Sequence, residues 1–118
     1  MLEKILDKYR THPDFLGMQL TDPNQRGAVD DTPIHIATRK GALEDIEALV
    51  AYGGDINIAG DLGNTPLHYA AMYGKTDVVK KLIELGANLN AKNEFSETPR
   101  RAAELGNHTD VVKLLKKR

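Results

Sequence analysis

One short motif recurs at a fixed interval along this chain. Residues 65–70 read Thr-Pro-Leu-His-Tyr-Ala, and residues 32–37 read Thr-Pro-Ile-His-Ile-Ala. A third version, Thr-Pro-Arg-Arg-Ala-Ala, occupies residues 98–103, so the three copies are equally spaced. A constant period of this length indicates stacked structural repeats, each of which buries its apolar face against the next. The functional question is therefore which surface of the stack binds something, rather than where an active site lies.

Each repeat carries the signals for two short helices. In the second unit Thr65 is a favourable N-cap, and Pro66 fits the first helical position, where a missing N–H has no cost. Gly74 is suited to end this helix in a left-handed conformation, and Asn107 stands at the equivalent position of the third unit. A second helix is predicted from about residue 75 to residue 85, with an apolar stripe formed by Val78, Val79, Leu82 and Ile83.

The repeated motif resembles that of the ankyrin repeat family. The resemblance extends from Gly27 to the end of the chain, and it implies a β-turn or hairpin loop and two antiparallel helices in each repeat. We therefore expect an all-α ankyrin-repeat solenoid with a degenerate N-terminal helical cap in residues 1–26, followed by three repeats at about residues 27–59, 60–92 and 93–118. The resemblance also implies that His35 and His68 are structural, each bridging the Thr of its own motif and nearby loop backbone.

Both ends of the chain depart from the repeat. Residues 1–26 lack the motif, but they contain one amphipathic helical pattern, formed by Leu2, Ile5, Leu6 and Tyr9. We expect this helix to pack on the first repeat, with a long loop joining the two; the alternative is a separate recognition helix. In the last unit Arg100 and Arg101 replace the apolar residue and the His of the motif, as expected of a terminal repeat.

Composition argues against several kinds of chemistry. The chain contains no Cys, which excludes disulfides and thiolate ligands or nucleophiles. His12 and His108 lack companion ligands at useful spacing, so we expect neither a metal site nor a cofactor. No sequence motif of a hydrolase, zinc protease or phosphate-binding loop occurs, and we predict that the protein is not an enzyme. Charged residues near the start stand where a secretory signal needs a continuous apolar run. No apolar segment is long enough to span a bilayer, so we expect a cytoplasmic protein.

Charge is distributed unevenly along the chain. The formal net charge is −1, but residues 27–98 carry six basic and eleven acidic side chains, whereas residues 99–118 carry six basic and two acidic ones. The basic tail leaves nucleic-acid contact as one alternative. However, cations at a helix C-terminus also complement the helix dipole, and no aromatic residues are interleaved with them. We therefore expect no nucleic-acid partner.

The candidate functional residues are those that the repeat leaves free. In the ankyrin family these are turn residues and the exposed edge of each first helix, which line a concave surface. We transfer these surface positions to this sequence by aligning the repeats, which places Asp30 and Asp31 in the first turn. The predicted partner-binding residues are Arg39, Lys40, Asp61, Leu62, Asn64, Met72, Tyr73, Glu94, Phe95, Glu97 and Leu105. Leu62, Met72, Tyr73 and Phe95 are large and apolar where folding alone would accept polar residues, which indicates an interaction surface. The alternative is that these side chains shield loop backbone within the stack.

These features predict a monomeric, non-catalytic module that binds a protein partner through its concave surface of loops and helix edges. Tyr73 and Phe95 are the predicted anchors, and the acidic loops are predicted to attract a basic patch. An alternative function is that of a small inhibitor or immunity protein that neutralises a toxin or an enzyme.

Overall fold

The computed structural model describes residues 2–116, and these contain seven α-helices and no β-strand. Two short 3-10 helices occur at Pro13–Phe15 and Asp61–Gly63. The fold is therefore all-α, as the resemblance to the ankyrin repeat family implies. Lys117 and Arg118 of the basic tail lie outside the described residues. In chain order the α-helices are α1 Leu2–Arg10, α2 Pro33–Lys40, α3 Leu43–Ala51, α4 Pro66–Met72, α5 Thr76–Glu84, α6 Pro99–Leu105 and α7 Thr109–Lys116.

Each Thr-Pro motif starts the first helix of a pair. The Thr residue has extended backbone and the Pro occupies the first helical position in α2, α4 and α6 alike. The Thr65 hydroxyl accepts the N–H of His68 at 3.4 Å, and the Thr98 hydroxyl accepts the N–H of Arg101 at 3.2 Å. These bonds satisfy N–H groups that have no partner within the helix, so they fix where the helix begins.

Left-handed backbone ends each first helix and reverses the chain. Gly41 and Gly74 have φ values of 72° and 65°, and Asn107 at the equivalent position has a φ of 60°. Gly adopts this conformation without a steric cost, and Asn tolerates it better than most residues do. As predicted, the second helix then packs against the first, giving the pairs α2–α3, α4–α5 and α6–α7.

The pairs stack side by side around one continuous core. First helices contact one another in the order α2, α4, α6, and the second helices α5 and α7 are also in contact. Buried Ala70, Ala71 and Ala103 allow the first helices to approach closely. A second layer of the core comes from equivalent positions of the three repeats, which are occupied by Leu49, Leu82 and Leu115. Burying one such side chain stabilises the fold by about 1.5–3 kcal/mol.

The N-terminal helix α1, which we call the cap helix, packs against α3, the second helix of the first repeat. Its buried residues are Leu6 and Tyr9. The hydroxyl of Tyr9 donates to the carboxylate of Asp45 at 2.7 Å, and the ammonium of Lys8 lies 2.8 Å from the same carboxylate. Polar anchoring therefore supplements apolar packing at this end of the molecule.

The hydrogen bonding of the repeat begins within the segment predicted as the cap. The carboxylates of Asp22 and Asp55 each accept the N–H two residues later, at 2.8 and 2.9 Å. The side chain of Asn24 accepts the N–H of Asp55 at 2.6 Å, just as Asn57 accepts the N–H of Asn88 at 2.7 Å. Residues 22–24 thus join a ladder of side-chain-to-backbone bonds that connects successive units.

Candidate functional site

Equivalent tight turns precede the first helix of each pair. The N–H groups of Gly27, Gly60 and Asn93 donate to the carbonyl oxygen four residues later, at 2.8, 2.8 and 3.0 Å. The carbonyl oxygen of each of these three residues also accepts a hydrogen bond from the N–H of the residue three positions later, at 3.1, 3.0 and 3.0 Å. This pair of bonds is typical of a hairpin loop with three residues at its tip. The three tips are therefore residues 28–30, 61–63 and 94–96.

Positive φ angles complete the turns. Asp30, Gly63 and Ser96 occupy the last position of the three tips, with φ values of 69°, 76° and 60°. Leu62 is also left-handed, with φ 58° and ψ 22°. This conformation is disfavoured for a bulky side chain by roughly 1–2 kcal/mol. The carbonyl of Leu62 accepts the N–H of Glu94 at 3.0 Å, so the strained residue ties the second turn to the third.

The motif histidines hold the turns to the first helices. Nδ1 of His35 accepts the N–H of Thr32 at 3.0 Å, and Nε2 then donates to the carbonyl of Asn64 at 3.0 Å. His68 repeats the arrangement: Nδ1 accepts the N–H of Thr65 at 3.0 Å and Nε2 donates to the carbonyl oxygen of Glu97 at 2.8 Å. The structural role of both histidines is confirmed.

Burial lowers the pKa of His35 and of His68, because a charged ring would lose its hydration inside the stack. Both rings are therefore neutral at pH 7, with the proton on Nε2 and both nitrogens already engaged. Within residues 2–116, no group of three or more His, Asp or Glu side chains is arranged to hold a metal ion.

Two predicted surface residues turn inward. Asn64 is 5% exposed and Asp31 is fully buried. The side-chain oxygen of Asn64 accepts a hydrogen bond from the side chain of Asn93 at 3.0 Å, and the Asp31 carboxylate accepts the N–H of Asp61 at 2.9 Å. The prediction that Asn64 lies on the exposed surface is therefore wrong, because its amide serves to link adjacent turns.

An ordered stack of side chains supports one predicted anchor. The ring of Tyr73 is stacked on the ring of Tyr69, with centroids 6.4 Å apart and an interplanar angle of 11°. The guanidinium of Arg39 lies 5.3 Å from the Tyr69 centroid and 3.3 Å from the Asp31 carboxylate. The hydroxyl of Tyr69 donates to Asp31 at 3.1 Å. Tyr73 itself is 51% exposed, so it presents an aromatic ring on a rigid support.

Burial and the nearby Asp31 carboxylate raise the pKa of the Tyr69 hydroxyl, which therefore stays protonated and keeps donating. Arg39 was predicted as a partner-binding residue, but its guanidinium is engaged with Asp31 and Tyr69. Lys40 is exposed, and its ammonium lies 5.2 Å from the ring centroid of Tyr9 in α1. Arg39 thus connects the first repeat to the second, and Lys40 connects the first repeat to α1.

The other predicted residues differ in exposure. Met72 and Glu97 are half-buried, and the Glu97 carboxylate accepts a hydrogen bond from the Asn93 side chain at 3.1 Å. Exposed members are Asp61, Leu62, Tyr73, Glu94, Phe95 and Leu105. Sequence reasoning missed Val29, which is also exposed at a turn tip. The signal was present, because Val29 precedes Leu62 by one full repeat period.

The turns form an acidic edge of the stack. Residues 26–31, 59–64 and 92–97 together contain two basic and five acidic side chains. The carboxylates of Asp30, Asp61 and Glu94 are exposed, and none forms an ion pair within the described part of the chain. These charges are therefore available to act on a partner.

The comparison with protein families agrees with this architecture. A family model described as ankyrin repeats (3 copies) matches residues 8–93, which is more than half of the chain. This chain belongs to the ankyrin repeat family. Ankyrin repeats are generally protein–protein interaction modules, and the family is typically non-catalytic. Among curated protein sequences, no significant match to this chain was found.

The match starts within α1 and ends at Asn93, in the third turn. Helices α6 and α7 follow this range and repeat the geometry of the earlier pairs. Among residues 2–116, no helix is long and apolar enough to cross a bilayer.

Proposed function

We propose that this protein is a non-catalytic interaction module that binds a protein partner through its turn tips and the exposed edges of its first helices. The observation that carries the proposal is the presentation of two large aromatic side chains, Tyr73 and Phe95, which are 51% and 64% exposed. Folding alone would accept polar residues at both positions. Exposed aromatic residues of this kind are frequent anchors of protein interfaces.

Internal contacts support the ring of Tyr73 and the backbone of Phe95. Tyr73 rests on Tyr69, which is fixed by its bond to Asp31. The backbone N–H of Phe95 donates to the side-chain oxygen of Asn93 at 2.9 Å, which fixes the backbone of the turn tip. A side chain that is already ordered loses little conformational entropy on binding. Rigid presentation therefore supports a binding role better than a role in shielding loop backbone.

The charge of the same edge supports a basic patch on the partner. Asp61 and Glu94 lie at equivalent positions of adjacent turns, exposed and free of ion pairs among the described residues. Exposed charges contribute mainly to the rate of association and to the choice of partner. We propose that these carboxylates attract a basic surface of the partner, and that Tyr73 and Phe95 then pack against it.

The proposal describes a cytoplasmic monomer without enzymatic activity and without a nucleic-acid partner. An inhibitor of a toxin or an enzyme would be one form of the same binding role. Of the basic residues near the C-terminus, Lys113 and Lys116 lie in the last turn of α7, where they complement the helix dipole. Their position is therefore explained without a nucleic acid.

Affinity purification of the tagged full chain from its native cells, followed by mass spectrometry, tests the proposal. We expect Tyr73→Ala combined with Phe95→Ala to reduce recovery of the enriched partner at least about 10-fold, as the loss of an interface anchor does. Tyr52→Ala is the matched control, since Tyr52 is 44% exposed and follows a second helix, α3. Thermal unfolding of all variants checks that the fold is retained. Equal recovery with the double variant, or no specifically enriched protein, would contradict the proposal.

A further inference from the structure

Apolar residues occupy the centre of all three turn tips. Val29, Leu62 and Phe95 stand at equivalent positions of successive repeats and are 46%, 46% and 64% exposed. We call these three residues the turn-tip row. None of them belongs to the hydrophobic core or to the apolar residues packed against it. The row is thus an apolar feature that repeats with the stack but does not stabilise it by burial.

Leu62 shows most clearly that folding does not account for the row. Its left-handed backbone, with φ 58° and ψ 22°, suits Gly or Asn far better than a bulky apolar side chain. Strained residues of this kind concentrate at functional sites, where the side chain has another use. The neighbouring Gly63 shows the ordinary solution to a positive φ in the same turn.

The spacing expected of packed first helices matches that of one kind of bound chain. First helices that pack together lie about 8–10 Å apart, and each turn of the row leads into its own first helix, with the second and third turns joined by the bond from the N–H of Glu94 to the carbonyl of Leu62. In a polyproline II segment, side chains three residues apart share a face and lie about 9 Å apart. In a β-strand, side chains on one face lie about 7 Å apart. The polyproline II spacing matches the interval of packed first helices, and the β-strand spacing does not.

Free backbone groups at the tips also favour an extended ligand. The N–H groups of Val29 and Leu62 donate to no protein group in the described part of the chain. A polyproline II segment has no internal hydrogen bonds, so its carbonyl oxygens can accept these donors. An α-helix uses its carbonyl oxygens internally and offers no such acceptors.

Charge indicates the remaining chemistry of the ligand. The carboxylates of Asp30, Asp61 and Glu94 flank the turn-tip row, exposed and without ion pairs among residues 2–116. The guanidinium of Arg26, the nearest basic group in the first turn, braces that turn by donating to the carbonyl of Asp30 at 3.0 Å. The row is therefore complementary to a basic segment.

We propose that the turn-tip row binds an extended, basic segment of the protein partner, with an apolar side chain at every third position and Lys or Arg between them. This inference rests on the proposed function and specifies the chemistry of the partner. It adds Val29 to the binding surface. It also explains why a Leu occupies the strained position 62, where folding favours Gly or Asn.

Fluorescence anisotropy with short synthetic peptides tests the inference. Three peptides share one composition of Leu, Lys and Gln, with Leu at every second, every third or every fourth position; a fourth keeps the spacing of three but carries Glu in place of Lys. We expect the basic peptide with a spacing of three to bind the full-length protein at least about 10-fold more tightly than the others. Equal binding of another spacing or of the acidic peptide, or no binding of any peptide, would overturn the inference.

Variants then locate the binding on the row. Leu62→Asn keeps the left-handed turn, and Val29→Thr keeps the shape of the side chain, so both should fold. Each is expected to weaken the binding of the best peptide about 5-fold, whereas Leu16→Asn, at a 65% exposed position outside the turns, should not change it. Unchanged binding in both row variants would also overturn the inference. If Tyr73 and Phe95 are still needed to capture the partner in that case, the proposed function stands without it.

Discussion

The second repeat and the N-terminal cap are joined to the stack by different means. The second repeat, α4–α5, buries Leu67 and Leu82, and the neutral side chain of its His68 holds the turn of the third repeat by donating to the carbonyl of Glu97. The cap helix α1 buries fewer apolar residues and adds an ionic cluster, in which Lys8 and Tyr9 both bond to Asp45. A repeating unit is thus stabilised by contacts that recur, whereas the unique end depends on a contact found once.

The largest expected effect is on the second repeat. Leu82 is fully buried between neighbouring pairs, so Leu82→Ala should lower the free energy of unfolding by about 2–5 kcal/mol. Urea denaturation measures this loss. Lys80→Ala, at an exposed position of the same helix, is the control and should stay within about 0.5 kcal/mol of the parent. A Leu82→Ala protein as stable as the control would disprove the packing described here.

A smaller effect is expected at the cap. Asp45→Asn removes the charged acceptor of Lys8 and Tyr9, and it should lower the free energy of unfolding by about 1–3 kcal/mol at pH 7. Burial raises the pKa of the Asp45 carboxyl, but the bonds from Lys8 and Tyr9 outweigh it, so the net pKa is lowered. A lowered pKa means that the stabilisation is present above about pH 4 and is lost as the pH falls through the folded-state value.

Urea denaturation of Asp45→Asn and the parent at pH 7 and at pH 3 checks this prediction. The difference in stability between the two proteins should be largest at neutral pH and should shrink in acid. A difference that is the same at both pH values would show that the carboxylate charge does not anchor the cap. Glu44→Gln, next to it and exposed, is the control for a general change in charge.

The histidines of the repeats should give a different pH dependence. Burial lowers the pKa of His35 and His68, so the unfolded chain takes up protons first as the pH falls. Stability is therefore fully present above about pH 6.5 and declines below it, by at most about 1.4 kcal/mol per pH unit for each histidine. The slope of unfolding free energy between pH 7 and pH 5 measures this effect. A flat profile in this range would contradict neutral histidines.

The smallest expected effect is a gain in stability at the second turn tip. Leu62→Asn should raise the free energy of unfolding by up to about 1 kcal/mol, because Asn tolerates the left-handed backbone at this exposed position. Thermal denaturation measures the change. A clear loss of stability instead would mean that Leu62 is there for folding, which would weaken the argument for a binding role of the turn tips.

The sequence predicted the parts of the fold that recur. Thr65 and Thr98 start helices, and Gly74 and Asn107 end them in left-handed backbone, because the same local chemistry is repeated in each unit. The contact between Tyr9 and Asp45 could not be predicted, since it joins residues 36 positions apart and no other unit repeats it.

The candidate surface was predicted less completely than the fold. Register places Asn64 in a turn, but it does not tell whether the side chain faces the solvent or the next turn. The internal use of Arg39 depends on Asp31 and Tyr69 meeting in space, which the repeat period does not show. Exposure at Tyr73 and Phe95 agrees with the prediction, and their contact with a partner remains a proposal.

Native-state hydrogen exchange tests the linear stack most directly, because exchange reports the stability of each helix separately. In Asp45→Asn, we predict faster exchange in α1 and the residues that follow it, with little change in α4 and α5. An equal increase across all helices would contradict a stack in which each unit depends on its immediate neighbours.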